Sequence, residues 1–209
     1  MLIELLSGQL DLTIFLIWVA ALLVAVTVHE FSHALSANLL GDDTPRLLGR
    51  LTLNPLAHLD PIGTLMILLI RFGWGKPVPI NPMNFHNPLR DSALVSLAGP
   101  LSNILLATLL AIPLRLGFNF GLYLLPFIFI NLALAVFNLL PIHPLDGFKI
   151  VGGILPLQLA YHWAALAPYG LWFLLIFVFF PGPSLIDLFV QPLLRSLLIL
   201  LLGSPAAII

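Results

Sequence analysis

The sequence predicts an all-α polytopic membrane protein, with about five transmembrane helices, a short re-entrant or interfacial segment and a small extended, β-hairpin-like loop. Three observations carry this. Hydrophobic residues make up 60% of the chain and charged ones 8%, against roughly 25% in an ordinary soluble domain, and the mean hydropathy is +1.11. Several apolar runs reach the ~20 residues that a bilayer core about 30 Å thick requires of a helix. Clusters of Gly, Pro and charged residues separate those runs.

Taken in order, the first run covers residues 12–40 and reads as a membrane anchor, since no small-x-small cleavage pattern follows it. Residues 62–72 are apolar but span only roughly 16 Å as helix, too short to cross. Polar stretches on either side, GDDTPRLLGRLTLNPLAHLDP and GWGKPVPINPMNFHNPLR, fit loops around a half-inserted element. Further spans are expected over 92–116, 120–140, 157–180 and 184–202. The whole of 1–209 reads as one membrane domain, with a core over 12–155 and additional helices over 157–202.

Charge placement sets the orientation. Arg46, Arg50, Arg71, Lys76, Arg90 and Lys149 lie in the connections after the first and third spans, whereas Arg115 lies on the other side. The positive-inside rule therefore puts the N-terminus outside and those connections in the cytoplasm. A net charge of −1 offers no basic stripe for nucleic acid, which is excluded as a partner. With no cysteine, any metal must be held by histidine and carboxylate.

Such a set is present. His29-Glu30-Phe31-Ser32-His33 places two imidazoles four residues apart on one helix face with a glutamate beside the first. From 6 His in 209 residues, the chance expectation of this HExxH pattern is about 0.002. An isolated membrane histidine can also serve as an interhelical hydrogen-bonding group, but an ionisable glutamate in hydrocarbon calls for a compensating partner, and a divalent cation supplies one. A tetrahedral site with one open position needs a third protein ligand. His58, His86, His143, His162 and the carboxylates are candidates. Asp146 stands out, because it follows the 120–140 span at the membrane depth of the HExxH, where Pro141, Pro144 and Gly147 break the helix and can turn the carboxylate inward.

Together the HExxH, Leu145-Asp146-Gly147 and the intervening Ala98-Gly99-Pro100-Leu101-Ser102-Asn103 resemble the site-2 protease family of intramembrane zinc metalloproteases, in its compact bacterial or archaeal form without PDZ or CBS domains. The resemblance covers about residues 12–155. It implies that one Zn2+ binds to His29, His33 and Asp146, that Glu30 activates a water, and that Asn138, and less directly Asn103, stand near the reacting groups. It implies regulated cleavage of transmembrane segments of other membrane proteins, in a prokaryotic cell membrane, with the site toward the cytoplasmic side. His143 departs from the family pattern, where proline is usual, and reads as a loop histidine. The stretch Lys76-Pro-Val-Pro-Ile-Asn-Pro could form an edge strand that holds an unwound substrate, or a proline-blocked edge that resists aggregation. Two other functions fit the same residues: a divalent-metal transporter, which would require flux rather than cleavage, and a catalytically silent homologue that binds membrane proteins.

Overall fold

The computed structural model describes residues 5, 8, 11–70, 73–118, 123–179 and 186–203. These residues are mostly helical and form no sheet. The long helix α1, Leu12–Leu39, begins at Asp11, whose carboxylate accepts the Thr13 and Ile14 N–H groups at 2.7 and 3.4 Å. An acidic side chain there satisfies donors that an N-terminal turn otherwise leaves open. A short helix α2, Thr44–Leu47, and a turn at Pro55–Ala57 lead to α3, Pro61–Ile70. The short apolar element expected over 62–72 is thus a helix of 10 residues, and Arg71 and Phe72 lie outside the described residues.

Beyond α3 the chain runs without regular structure through 73–81, and among the described residues its one bridge pairs Leu59 with Gly75. Of the hairpin-like loop the described residues show an isolated bridge, followed by a segment stiffened by Pro77, Pro79 and Pro82. Helix α4, Pro88–Arg115, is capped by Asn87, which accepts the Arg90 N–H at 3.2 Å while Asp91 accepts the Asn87 N–H at 2.9 Å. Helix α5, Leu125–Asn138, follows, then α6, Asp146–Ile154, α7, Leu157–Ala164, α8, Gly170–Phe179, and α9, Gln191–Leu202.

Among the described residues, three helical segments are long and apolar enough to cross a membrane: Leu12–Leu39, Pro88–Arg115 and Leu157–Val178, the last covering α7 and nearly all of α8 around a turn at Ala167–Tyr169. Helix α5 is apolar but has only 14 residues, and α9 has 12. The expected span ends at Phe120, Phe180 and Ser184 lie outside the described residues.

Helices α1, α4 and α5 form the centre of the bundle, and α6 packs on α4. Close approach is possible because the facing positions are small: Ala21, Ala25, Ala34 and Ala37 of α1, and Gly99, Ala107 and Ala111 of α4, are all buried. Small residues let membrane helices gain dispersion contacts where no hydrophobic effect separates helix from lipid. Ala107 and Ala111 meet Ile128 and Leu132 of α5 and Leu194 and Leu198 of α9 in one apolar cluster. Large apolar side chains such as Leu16, Leu101, Leu105 and Phe173 point outward and are more than half exposed, as lipid-facing positions require.

Candidate metal centre

Helix α1 presents His29 and His33 on its buried side, one turn apart, with their rings edge-on and centroids 4.6 Å apart. Across from them α6 starts at Asp146. Its Oδ2 lies 3.1 Å from His29 Nε2 and 3.2 Å from His33 Nε2. Each residue offers one ligand atom, and all three atoms lie within 4.8 Å of one another. The carboxylate reaches this point because the chain reverses between α5 and α6. Gly147 sits so close to Leu139 O and Leu140 O that a side chain there would push α6 off the end of α5.

Neighbouring groups decide the protonation of both rings. His33 Nδ1 is 2.7 Å from Val95 O, a carbonyl that can only accept, so Nδ1 bears the proton. His29 Nδ1 is 2.6 Å from Asn103 Oδ1. Asn103 has no freedom to flip, because its Nδ2 donates to Ala25 O at 3.0 Å and to Asn131 Oδ1 at 2.7 Å, and Asn131 in turn donates to Phe127 O at 2.8 Å. Hence Asn103 accepts and His29 Nδ1 donates.

With each Nδ1 donating to its own acceptor, each Nε2 of a neutral ring would turn a lone pair toward the carboxylate. The two Nε2 atoms, 3.1 and 3.2 Å from one Oδ2, make with it a group of three acceptors that repel unless a cation lies among them. Tetrahedral zinc, with bonds of about 2.1 Å, sets ligand atoms about 3.4 Å apart, close to the spacing found. Gly99 leaves the room: a Cβ there would lie 2.5 Å from His33 Nε2 and 2.7 Å from His29 Nε2. Donor set, tautomers and free volume all fit one divalent metal.

Glu30, half-buried beside His29, is fixed from the other side. Its Oε2 accepts the Val78 N–H at 3.0 Å, a bond joining residues 48 positions apart. In the same segment Lys76 N–H donates to His58 O at 2.9 Å and Asn81 N–H donates to Asp42 Oδ2 at 2.7 Å. Pro77 and Pro79 have no N–H, so strand addition along their exposed side would rest on carbonyls alone.

Other candidates fall elsewhere. Asn138 Nδ2 donates to Leu134 O at 3.0 Å, one turn back in its own helix, and no hydrogen bond among the described residues joins it to the cluster. Asn103 takes the interhelical role and reaches the site through His29. His143 packs edge-on against Phe148, with ring centroids 5.4 Å apart, in a mainly apolar cavity of about 310 Å3 that Trp163 and Phe173 also line. Burial, helped by Lys149, holds its imidazole below the ordinary histidine range. His58 is fully buried and donates from Nε2 to Thr52 O at 2.8 Å, while His86 and His162 are exposed. Sequence reasoning missed Asn131, Val78 and the space at Gly99. An asparagine inside the apolar run 125–138 was the one available signal for Asn131.

Comparison with known proteins gives a consistent set of relatives. Over 150 residues the chain is 43% identical to a Bacillus subtilis protein named "Putative zinc metalloprotease YwhC", covering 66% of this chain and 68% of the relative. Over 184 residues it is 34% identical to "Putative zinc metalloprotease Rip2" of Mycolicibacterium smegmatis, covering 82% and 69%. Its likeness to Rip2 of Mycobacterium tuberculosis is 35% over 146 residues, 65% of this chain and 56% of the relative. No family model and no solved structure matches the chain.

Proposed function

This chain belongs to the zinc metalloprotease family of those relatives, and from that premise we propose that it is an intramembrane endopeptidase of the site-2 protease type, cleaving transmembrane segments of other membrane proteins. The observation that carries the reading is the aim of two tautomer-locked imidazoles and the Asp146 carboxylate at one point, with Glu30 next to a ligand histidine.

His29, His33 and Asp146 would hold the zinc ion. When bound, zinc polarises a peptide carbonyl and acidifies a water near neutral pH. Glu30 takes the proton of the attacking water and passes it to the departing amide nitrogen, the two halves of general acid–base catalysis. The Val78 N–H steadies the Glu30 carboxylate while that proton moves. Asn103 and Val95 O keep both imidazoles turned inward, so neither ring flips and offers its protonated nitrogen. A substrate helix must unwind locally, because its peptide bonds are otherwise enclosed by its own hydrogen bonds.

The site lies toward the C-terminal half of α1, consistent with a short approach for water from the cytoplasmic side. The same reading has α5 and the 186–202 segment complete a five-span, single-domain bundle with its N-terminus outside. Glu30→Gln is the decisive test, in liposomes with a panel of single-span substrates. Zinc content should match the parent while cleavage falls about 100- to 10,000-fold. Unchanged proteolysis would exclude Glu30 as the base, and metal flux without cleavage would favour a transporter.

A further inference from the structure

A buried cation beneath Glu30 has no part in the chemistry above. Arg50, in the loop after α2, is only 6% exposed. Its Nη2 donates to Lys76 O, and its Nε finds no partner among the described residues. A buried guanidinium needs compensation. Burial pushes its pKa down and the charge of Glu30 pushes it back up, so the two groups feel one another.

The chain between them is stiff. Lys76 is gripped at both ends of its backbone, its N–H by His58 O at 2.9 Å and its carbonyl by Arg50. Leu59 and Gly75 bridge just before it. Pro77 and Pro79 fix their own φ angles and confine Lys76 and Val78 to extended conformations. Two residues beyond the gripped carbonyl, the Val78 N–H meets Glu30 Oε2 at 3.0 Å. Displacing the Lys76 carbonyl must therefore displace the donor that orients the glutamate.

We propose that Arg50 is a positioning residue for Glu30: by holding the Lys76 carbonyl it keeps the Val78 N–H against Oε2 and fixes the rotamer in which the carboxylate handles the proton. The catalytic consequence rests on the endopeptidase reading, whereas the grip itself is measurable without it.

The test compares the full chain with Arg50→Met, Arg50→Lys, Val78→Pro and the double variant Arg50→Met/Val78→Pro in detergent. Amide exchange read by mass spectrometry on the 76–80 segment is dominated by few amides, since Pro77 and Pro79 contribute none. Arg50→Met should speed Val78 exchange at least tenfold and Arg50→Lys by less, with zinc content and α1 protection unchanged. Unchanged exchange overturns the inference whether or not the protein cleaves anything, and so does loss of zinc or general exposure of α1, which would mark a merely structural role. With a single-span substrate, Arg50→Met should lower kcat about tenfold with KM within twofold, and Arg50→Lys should recover part of the loss. The double variant should be no slower than the slower single one, because both act through one hydrogen bond. Multiplicative losses, or a change confined to KM, overturn the positioning role. If instead Glu30→Gln cleaves as the parent does, the proposed function falls, and the exchange result still decides whether Arg50 holds Val78.

Discussion

His29 and His33 owe their usefulness to atoms that never touch a substrate. Asn103 Oδ1 and Val95 O each accept a ring N–H on the far side, leaving the near nitrogens bare. Asn103→Ala removes one of these acceptors and leaves Asn131 Oδ1 without its donor in a buried position. Zinc affinity should fall about 10–100-fold, as for other partners behind metal-bound histidines; competition against a calibrated chelator measures it, and parent-like affinity would remove Asn103 from this role. Gly99 contributes by having no side chain. Gly99→Ala should reduce bound zinc below about a tenth of an ion per chain, because the added methyl lies in the ligand space. Far-UV circular dichroism should stay unchanged, since alanine is a better helix former than glycine. Full zinc loading in this variant would contradict the fit described for the site.

Among the elements, the connection after α1 is held by one carboxylate. Asp42 is fully buried and accepts from Thr44 N at 3.1 Å, Thr44 Oγ1 at 2.5 Å, Asn81 N at 2.7 Å and Asn84 Nδ2 at 2.7 Å. Burial opposes its ionisation, but these donors from Thr44, Asn81 and Asn84 outweigh that and hold its pKa below the ordinary carboxylate value. Since the folded pKa lies below the unfolded one, the stabilisation is complete above the unfolded value of about 4 and is lost as pH falls through the folded value. Asp42→Asn should therefore cost about 1–3 kcal/mol at pH 7. Melting curves of parent and variant should converge as the pH drops below about 4, and a gap that persists at low pH would contradict this account. Helices α1 and α4 were legible in the sequence because each follows a long apolar run with a capping residue in front, Asp11 or Asn87. Asp146 was legible because the prolines and glycine around it forbid a continuing helix. The Asp42 knot and the Glu30–Val78 bond were not, because they join residues 39 to 48 positions apart with no periodic signature. The Asn138–Leu134 bond was not legible for a related reason: only the helix phase reveals that its Nδ2 donates to Leu134 O.

For the whole molecule, apolar composition reported the solvent but left the number of crossings and their direction to proposal. Absence of cysteine makes the direction measurable by single introductions at exposed positions. Leu56→Cys, 76% exposed in the loop before α3, should react with an impermeant maleimide only from the cytoplasmic face. Leu116→Cys, 69% exposed just past the end of α4, should react only from the opposite face. Labelling of both from one side would refute the orientation proposed here. A metal group assembled from α1 and α6 further requires that the bundle hold a fixed longitudinal alignment. Smooth aliphatic rods offer little resistance to slipping past each other, since a leucine meets another leucine or a lipid tail on nearly equal terms. The His29–Asn103–Asn131 line crosses α1, α4 and α5 like an indexing pin. A slip of one turn, about 5.4 Å, would strand every polar group on that line in hydrocarbon, so the atoms that aim an imidazole also set the bundle's registry.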